Sequence, residues 1–104
     1  MAKFYPVEGE VKEVLPKNGK SFSYDELKEF VGYPVQIVPL PSGNLIVVND
    51  EGKLSGLPTN EKATEFWKQE YPIETYPNNN DELIVGNALV GSDEEINGEA
   101  EESK

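Results

Sequence analysis

Val35-Gln36-Ile37-Val38-Pro39-Leu40, Pro41-Ser42-Gly43-Asn44 and Leu45-Ile46-Val47-Val48 follow one another as an apolar run, a polar break and a second apolar run. The outer runs are rich in β-branched residues, whose stiff χ1 suits a pleated, half-buried surface. Between them stand residues that make turns: Pro presets φ, Gly supplies positive φ, and Ser and Asn bond their own backbone. The stretch is therefore a β-hairpin, expected at the centre of a sheet. Just beyond it, Asn49-Asp50-Glu51-Gly52 reads as a further turn, and Lys53-Leu54 as a short strand before Gly56-Leu57-Pro58.

Upstream of the hairpin, Ser23-Tyr24-Asp25-Glu26 has the spacing of a capping box, in which the Ser23 hydroxyl accepts from the Glu26 amide and the Glu26 carboxylate reaches back. Tyr24, Leu27 and Val31 recur at helical spacing beside Phe30, and Gly32 supplies the stop, which predicts a helix over 23–31. Further upstream, Phe4-Tyr5-Pro6-Val7 and Val11-Lys12-Glu13-Val14-Leu15 flank Glu8-Gly9 as a first hairpin. Pro6 cannot donate to a ladder, so its strand is expected at a sheet edge or with the missing donor turned outward.

Downstream, Thr59 or Asn60 can cap a second helix, with Ala63, Phe66, Trp67 and Tyr71 on one side, ending near residue 70 before Pro72. Residues 73–82 read as irregular. Leu83-Ile84-Val85-Gly86-Asn87-Ala88-Leu89-Val90 is apolar at both parities, the pattern of a strand buried on both faces. The order β-β-α-β-β-α-β implies an α+β fold, one mostly antiparallel sheet with two helices on one face. Residues 1–90 are expected to form one domain, and 91–104 a disordered acidic tail. In that tail six acids face one Lys, and Ile96 and Ala100 are the apolar side chains.

Charge and missing residue types narrow the function. The 104 residues carry a net charge of −11, all nine basic residues are Lys, and the chain has no Cys, His or Arg. No disulfide or thiolate chemistry is available. Without His, proton transfer near neutral pH needs a carboxylate or Lys shifted by burial. Without Arg there is no bidentate fork for phosphate or guanine, and the net charge repels a nucleic-acid backbone, so direct nucleic-acid binding is not expected. No apolar run approaches the roughly 18 residues of a membrane span, so no membrane partner is expected and the location is cytoplasmic by default.

Asn49-Asp50-Glu51-Gly52-Lys53, Leu57-Pro58-Thr59-Asn60, Ala63-Thr64 and Ile84-Val85-Gly86 together follow a running pattern N-E-E-G-K, L-P-x-N, A-T, I-V-G. The chain resembles, over roughly residues 11–90, a family of small uncharacterised domains carried by phages and mobile elements. Asp50 stands where that family often has Glu, and Tyr33 where it often has a second Gly. The resemblance implies a mobile-element setting and brings no catalytic residue with it.

Several residue groups are candidate sites. Turn chemistry accounts for Asn49, Asp50 and Gly52 but requires neither Glu51 nor Lys53, which makes Asn49, Glu51, Lys53 and Asn60 a candidate polar recognition edge. Phe66, Trp67 and Tyr71 are candidate partner-contact aromatics. Adjacent Phe66 and Trp67 point about 100° apart on a helix, so one is expected in the core and the other on a partner surface. The acidic pairs Glu8 with Glu10 and Glu61 with Glu65 read as solvated, and Asn78-Asn79-Asn80-Asp81-Glu82 as a polar loop lacking the spacing of a calcium loop. No catalytic residue, metal or cofactor is assigned. Plain solubility is the first reading of the negative charge, ahead of a high-salt habitat or nucleic-acid mimicry. The expected role is non-catalytic binding of a protein partner or ligand, modulating a host or defence protein. The alternatives are a pocket or small enzyme for a nucleotide-like metabolite, and a homo-oligomeric structural subunit such as an edge-paired homodimer.

Overall fold

The computed structural model describes residues 2–52, 54–70 and 84–96. In chain order the elements are β1 (Ala2–Tyr5), β2 (Lys12–Val14), α1 (Tyr24–Val31), β3 (Val35–Pro39), β4 (Leu45–Asn49), α2 (Glu61–Glu70) and β5 (Ala88–Gly91). This is the order expected from the sequence. One antiparallel sheet holds all five strands in the spatial order β2-β1-β5-β4-β3. Of the strand expected over residues 83–90 and buried on both faces, only Ala88–Val90 fall in β5, which lies at the centre with all four residues buried; 84–87 precede the strand, and Leu83 lies outside the described residues.

Period-two alternation sends neighbouring residues to opposite faces of a sheet, and two cores follow. On one face Ala2, Leu45, Val47 and Leu89 pack with Phe22, Leu27 and Val31 around α1. On the other, Tyr5, Ile46, Ala88 and Val90 pack with Ala63, and with the half-buried Phe66 and Trp67, around α2. The expectation of both helices on one face is thus corrected. Apolar residues at both parities in β4 and β5 require cover on both sides, and one helix supplies each.

The hairpin of residues 35–48 is not central as a whole. β4 is interior, but β3 forms an outer edge. β1 ends at Tyr5, so Pro6 falls outside the ladder and β1 lies between β2 and β5 rather than at an edge. Leu54 sits in a turn and not in a short strand: Ser55 N–H donates to Glu51 C=O at 2.8 Å and Leu57 N–H to Gly52 C=O at 3.0 Å.

The capping box forms as read. Ser23 Oγ accepts from Glu26 N–H at 3.1 Å, and Glu26 Oε1 accepts from Ser23 N–H at 3.0 Å. The boundary at residue 91 is corrected as well. Gly91 belongs to β5, Ser92 Oγ accepts from Glu95 N–H, and residues 93–96 make a helical turn that seats Ile96, 3% exposed, in the α1-side core. The remainder of the expected tail, 97–104, lies outside the described residues.

Candidate functional site

Asn60 caps α2 from the chain interior. Its side chain is wholly buried, Oδ1 accepts from Ala63 N–H at 3.0 Å, and Nδ2 donates to Tyr5 C=O at 2.8 Å and Gly86 C=O at 2.9 Å. One amide thus closes the helix start and binds β1 to the segment entering β5. One turn later the Thr64 hydroxyl accepts from Ile84 N–H at 2.8 Å, while Asn60 N–H donates to Ile84 C=O at 2.7 Å. Gly86 completes the junction. Its φ is +75°, a conformation that favours glycine, and a Cβ there would stand 2.8 Å from Leu57 Cδ1, so a side chain would be strained and would push the end of Leu57 aside.

The residues that carry the L-P-x-N, A-T and I-V-G pattern therefore build a buried polar joint. Hydrogen-bond requirements explain their identities, because every buried donor and acceptor must find a partner. Asn60 is accordingly removed from the candidate recognition edge: a side chain that is fully buried and bonded through both of its polar atoms has nothing left to offer a ligand.

Asn49 is also structural. Its Nδ2 donates to Val31 C=O, in the last turn of α1, at 3.2 Å, and its Oδ1 accepts from Glu51 N–H at 2.8 Å. The first bond satisfies a carbonyl that a helix end leaves without an intrahelical partner. Glu51 is exposed in the turn, and Lys53 lies outside the described residues. Of the described members of the expected edge, Asn49 and Asn60 are thus tied into the fold and Glu51 is exposed.

The carboxylate best placed for proton chemistry is Glu26, 8% exposed. Burial pushes its pKa up, but N–H donors from Ser23 and Lys17, the Ser23 side chain and the Lys17 charge together hold it below the ordinary value. Each carboxylate oxygen accepts one of those backbone N–H groups, so both oxygens of Glu26 are engaged in capping. Tyr5 is shifted upward by burial, which keeps its phenol neutral. Among the described residues no group of Asp and Glu is placed to hold a metal ion. The polar run 78–82 lies outside them.

Phe66 and Trp67 are both half-buried and pack against the same α2-side core, rather than one in the core and the other on the surface. Phe66 lies against Tyr5, with ring centroids 5.5 Å apart. Trp67 instead lines a groove of about 240 Å³ on the α2 face, and Tyr71 lies outside the described residues. The groove exists because α1 packs over β5, β4 and β3, whereas on the opposite face described residues leave a gap between α2 and the outer strands. Ile46 forms its buried floor, Val38, Val48, Ile84 and Val85 its half-buried walls, and Gln36, Asn49 and Asp50 its polar margin. Leu54, 89% exposed, stands at its mouth.

Apolar walls with a few polar groups at the margin are the usual composition of a binding groove. Of the lining, sequence reading marked Trp67 and Asn49. The valines read simply as strand core, since periodicity does not tell which face of an outer strand is covered. Leu54 carried a signal that went unused, a large apolar side chain inside a Gly-rich turn.

Compared with known proteins, the chain matches over residues 2–102 the family model described as a domain of unknown function, DUF3846. No curated protein and no solved structure matches it.

Proposed function

The chain belongs to the DUF3846 family of domains of unknown function, and from that premise we propose that it is a non-catalytic binding domain that engages a protein partner through the groove beside Trp67. The observation that carries this reading is a concave apolar surface with a half-buried Trp in its wall and an almost fully exposed Leu54 at its mouth. Trp is among the residues that most often anchor protein interfaces, and a large apolar side chain held out in water gains free energy when a partner covers it. The chemistry of the chain points the same way: it lacks His and Cys, and its buried carboxylate is committed to a helix cap.

The setting is the accessory gene complement of a mobile element, and the action is modulation of a host or defence protein. That part follows from the resemblance of the 49–64 and 84–90 segments to domains carried by phages. The net charge of −11 favours a partner with a basic surface and makes association dependent on salt.

The test is capture from host lysate on immobilised protein, run with the wild type and with Leu54→Asp at increasing salt. Leu54 is so exposed that its replacement leaves folding nearly unchanged. The expected result is one stoichiometric partner held by the wild type, released by salt and lost with L54D. Equal capture by both proteins, or no stoichiometric partner, overturns the reading.

A further inference from the structure

The end of α1 leaves two carbonyls without a donor. The helix ladder closes with the bond from Gly32 N–H to Lys28 C=O at 2.7 Å, and the Asn49 side chain takes Val31 C=O at 3.2 Å. Pro34 has no N–H, and among the described residues no donor reaches Glu29 C=O or Phe30 C=O. Such groups give the C-terminal end of a helix about half a negative elementary charge. Both residues line an open cleft of about 390 Å³ between the end of α1 and the 57–58 and 86–87 segments.

The free charge around the cleft has one sign. The Glu29 side chain is 70% exposed and 4.0 Å from Lys17 Nζ, a pair too open to water to be worth much. Glu8 follows Val7 and Asp50 follows Asn49, both exposed, at two further points of the rim. Lys28, the one cation among the described lining residues, bonds to the Asp25 carboxylate at 3.2 Å and lies over the Tyr24 ring, so its charge is drawn toward the start of the helix. Asn87 adds a donor. Its Oδ1 accepts from Val7 N–H at 2.9 Å, and among the described residues no acceptor reaches its Nδ2. Val7, Phe30, Leu57 and Pro58 supply apolar walls.

We propose that this cleft receives an Arg side chain of a protein partner, with its guanidinium on the Glu29 and Phe30 carbonyls and the Glu29 carboxylate, and a main-chain carbonyl of the same segment on Asn87 Nδ2. The inference rests on the reading of the chain as a protein-binding domain and adds a contact distinct from the groove beside Trp67. Carbonyl and carboxylate acceptors on neighbouring residues suit the planar fan of five guanidinium donors. The weak hydration and aliphatic stem of Arg suit the apolar walls. The chain itself contains no Arg, so a second copy cannot be the occupant.

The test titrates the full chain, labelled with ¹⁵N, with acetyl-Gly-Arg-Gly-amide, and in parallel with the same peptide carrying citrulline, which keeps the shape of Arg without its charge. The side-chain amide signals of Asn87 and the backbone amides of Gly32 and Gly86 are expected to shift to saturation with the Arg peptide. Citrulline should bind about tenfold more weakly or worse, and the emission of Trp67, the single Trp, should stay constant. Glu29→Lys, at an exposed position where replacement leaves folding nearly unchanged, should weaken binding about fivefold or more. Glu61→Lys makes the same change of charge on α2, outside the cleft, and should weaken it by less than about twofold. Equal weakening by E29K and E61K would reduce the effect to net charge and overturn the site, as would equal binding of citrulline or the absence of a saturable shift. A Trp67 shift without one at Asn87 would place the Arg in the groove, overturning this proposal while leaving the groove reading intact. Saturable binding at Asn87 combined with failure of the L54D capture test would overturn the groove reading alone.

Discussion

Replacing Asn60 with Ala tests whether the residues of the L-P-x-N, A-T and I-V-G pattern are structural. The substitution removes the cap of α2, typically about 1 kcal/mol. It also strips a partner from the Tyr5 and Gly86 carbonyls at a position with no exposure to solvent, and a buried polar group left unpaired costs about 1–3 kcal/mol. A carbonyl that keeps a second partner loses less, so the expected total is about 3 kcal/mol, against roughly 5–15 kcal/mol for a whole domain. In urea unfolding followed by Trp67 fluorescence, with m of about 1–3 kcal/mol/M, the midpoint should fall by roughly 2 M. Asn60→Asp separates the two contributions. It keeps a good capping oxygen but turns an acceptor toward two carbonyl oxygens, so it should be worse than N60A at pH 7. Burial raises the pKa of the new carboxyl, so its destabilisation is present above the unfolded value and shrinks as pH falls and the protonated form donates one bond. An N60A variant within about 1 kcal/mol of wild type, or an N60D variant no worse than N60A at pH 7, would refute the structural assignment.

Thr64→Val keeps the shape but leaves the Ile84 N–H, bonded to Thr64 at 2.8 Å, without its acceptor, and chemical denaturation should show a loss of about 1–3 kcal/mol. Gly86→Ala should lower the melting temperature, because it combines a φ of +75° with a Cβ 2.8 Å from Leu57 Cδ1, at a cost of about 1–3 kcal/mol. Ile96→Ala should cost about 2–5 kcal/mol in the same assay, since Ile96 is 3% exposed in the α1-side core; a negligible effect would contradict that placement. Glu26→Gln tests linkage. The carboxylate is held below its ordinary value of 4.5, so its contribution is present above that value and lost as pH falls through the depressed pKa. Urea unfolding from pH 7 down to pH 2 should therefore show the wild type losing its advantage over E26Q on acidification.

What the sequence disclosed, it disclosed through local chemistry. Ser23 and Glu26 announce α1 because a cap is satisfied within four residues, and β5 reads as doubly buried because Ala88, Leu89 and Val90 leave no polar face. Which face each helix covers depends on long-range register: Ile46 and Val47 are equally apolar, and only the pairing of β4 with β5 assigns one to α2 and the other to α1. Pro6 misled because the strand stops one residue before it. Ile96 was hidden among acids, where a lone apolar residue gives no periodicity, yet the turn at residues 92–96 delivers it to the core. In the candidate site, Asn60 looked like a surface residue because Asn usually is one. Its partners, Tyr5 and Gly86, stand 55 and 26 positions away, and no local pattern encodes such separations.

The division of the two helices between opposite faces of the sheet creates the groove, and a methyl-resolved NOESY spectrum tests it most directly. Leu89 and Val90 are neighbours at the sheet centre. The methyls of Leu89 should show contacts to Phe22 and Leu27, and those of Val90 to Ala63 and Phe66, with no contact between α1 and α2. Contacts from a single one of these residues to both helices, or between Leu27 and Phe66, would place the helices side by side and contradict the account.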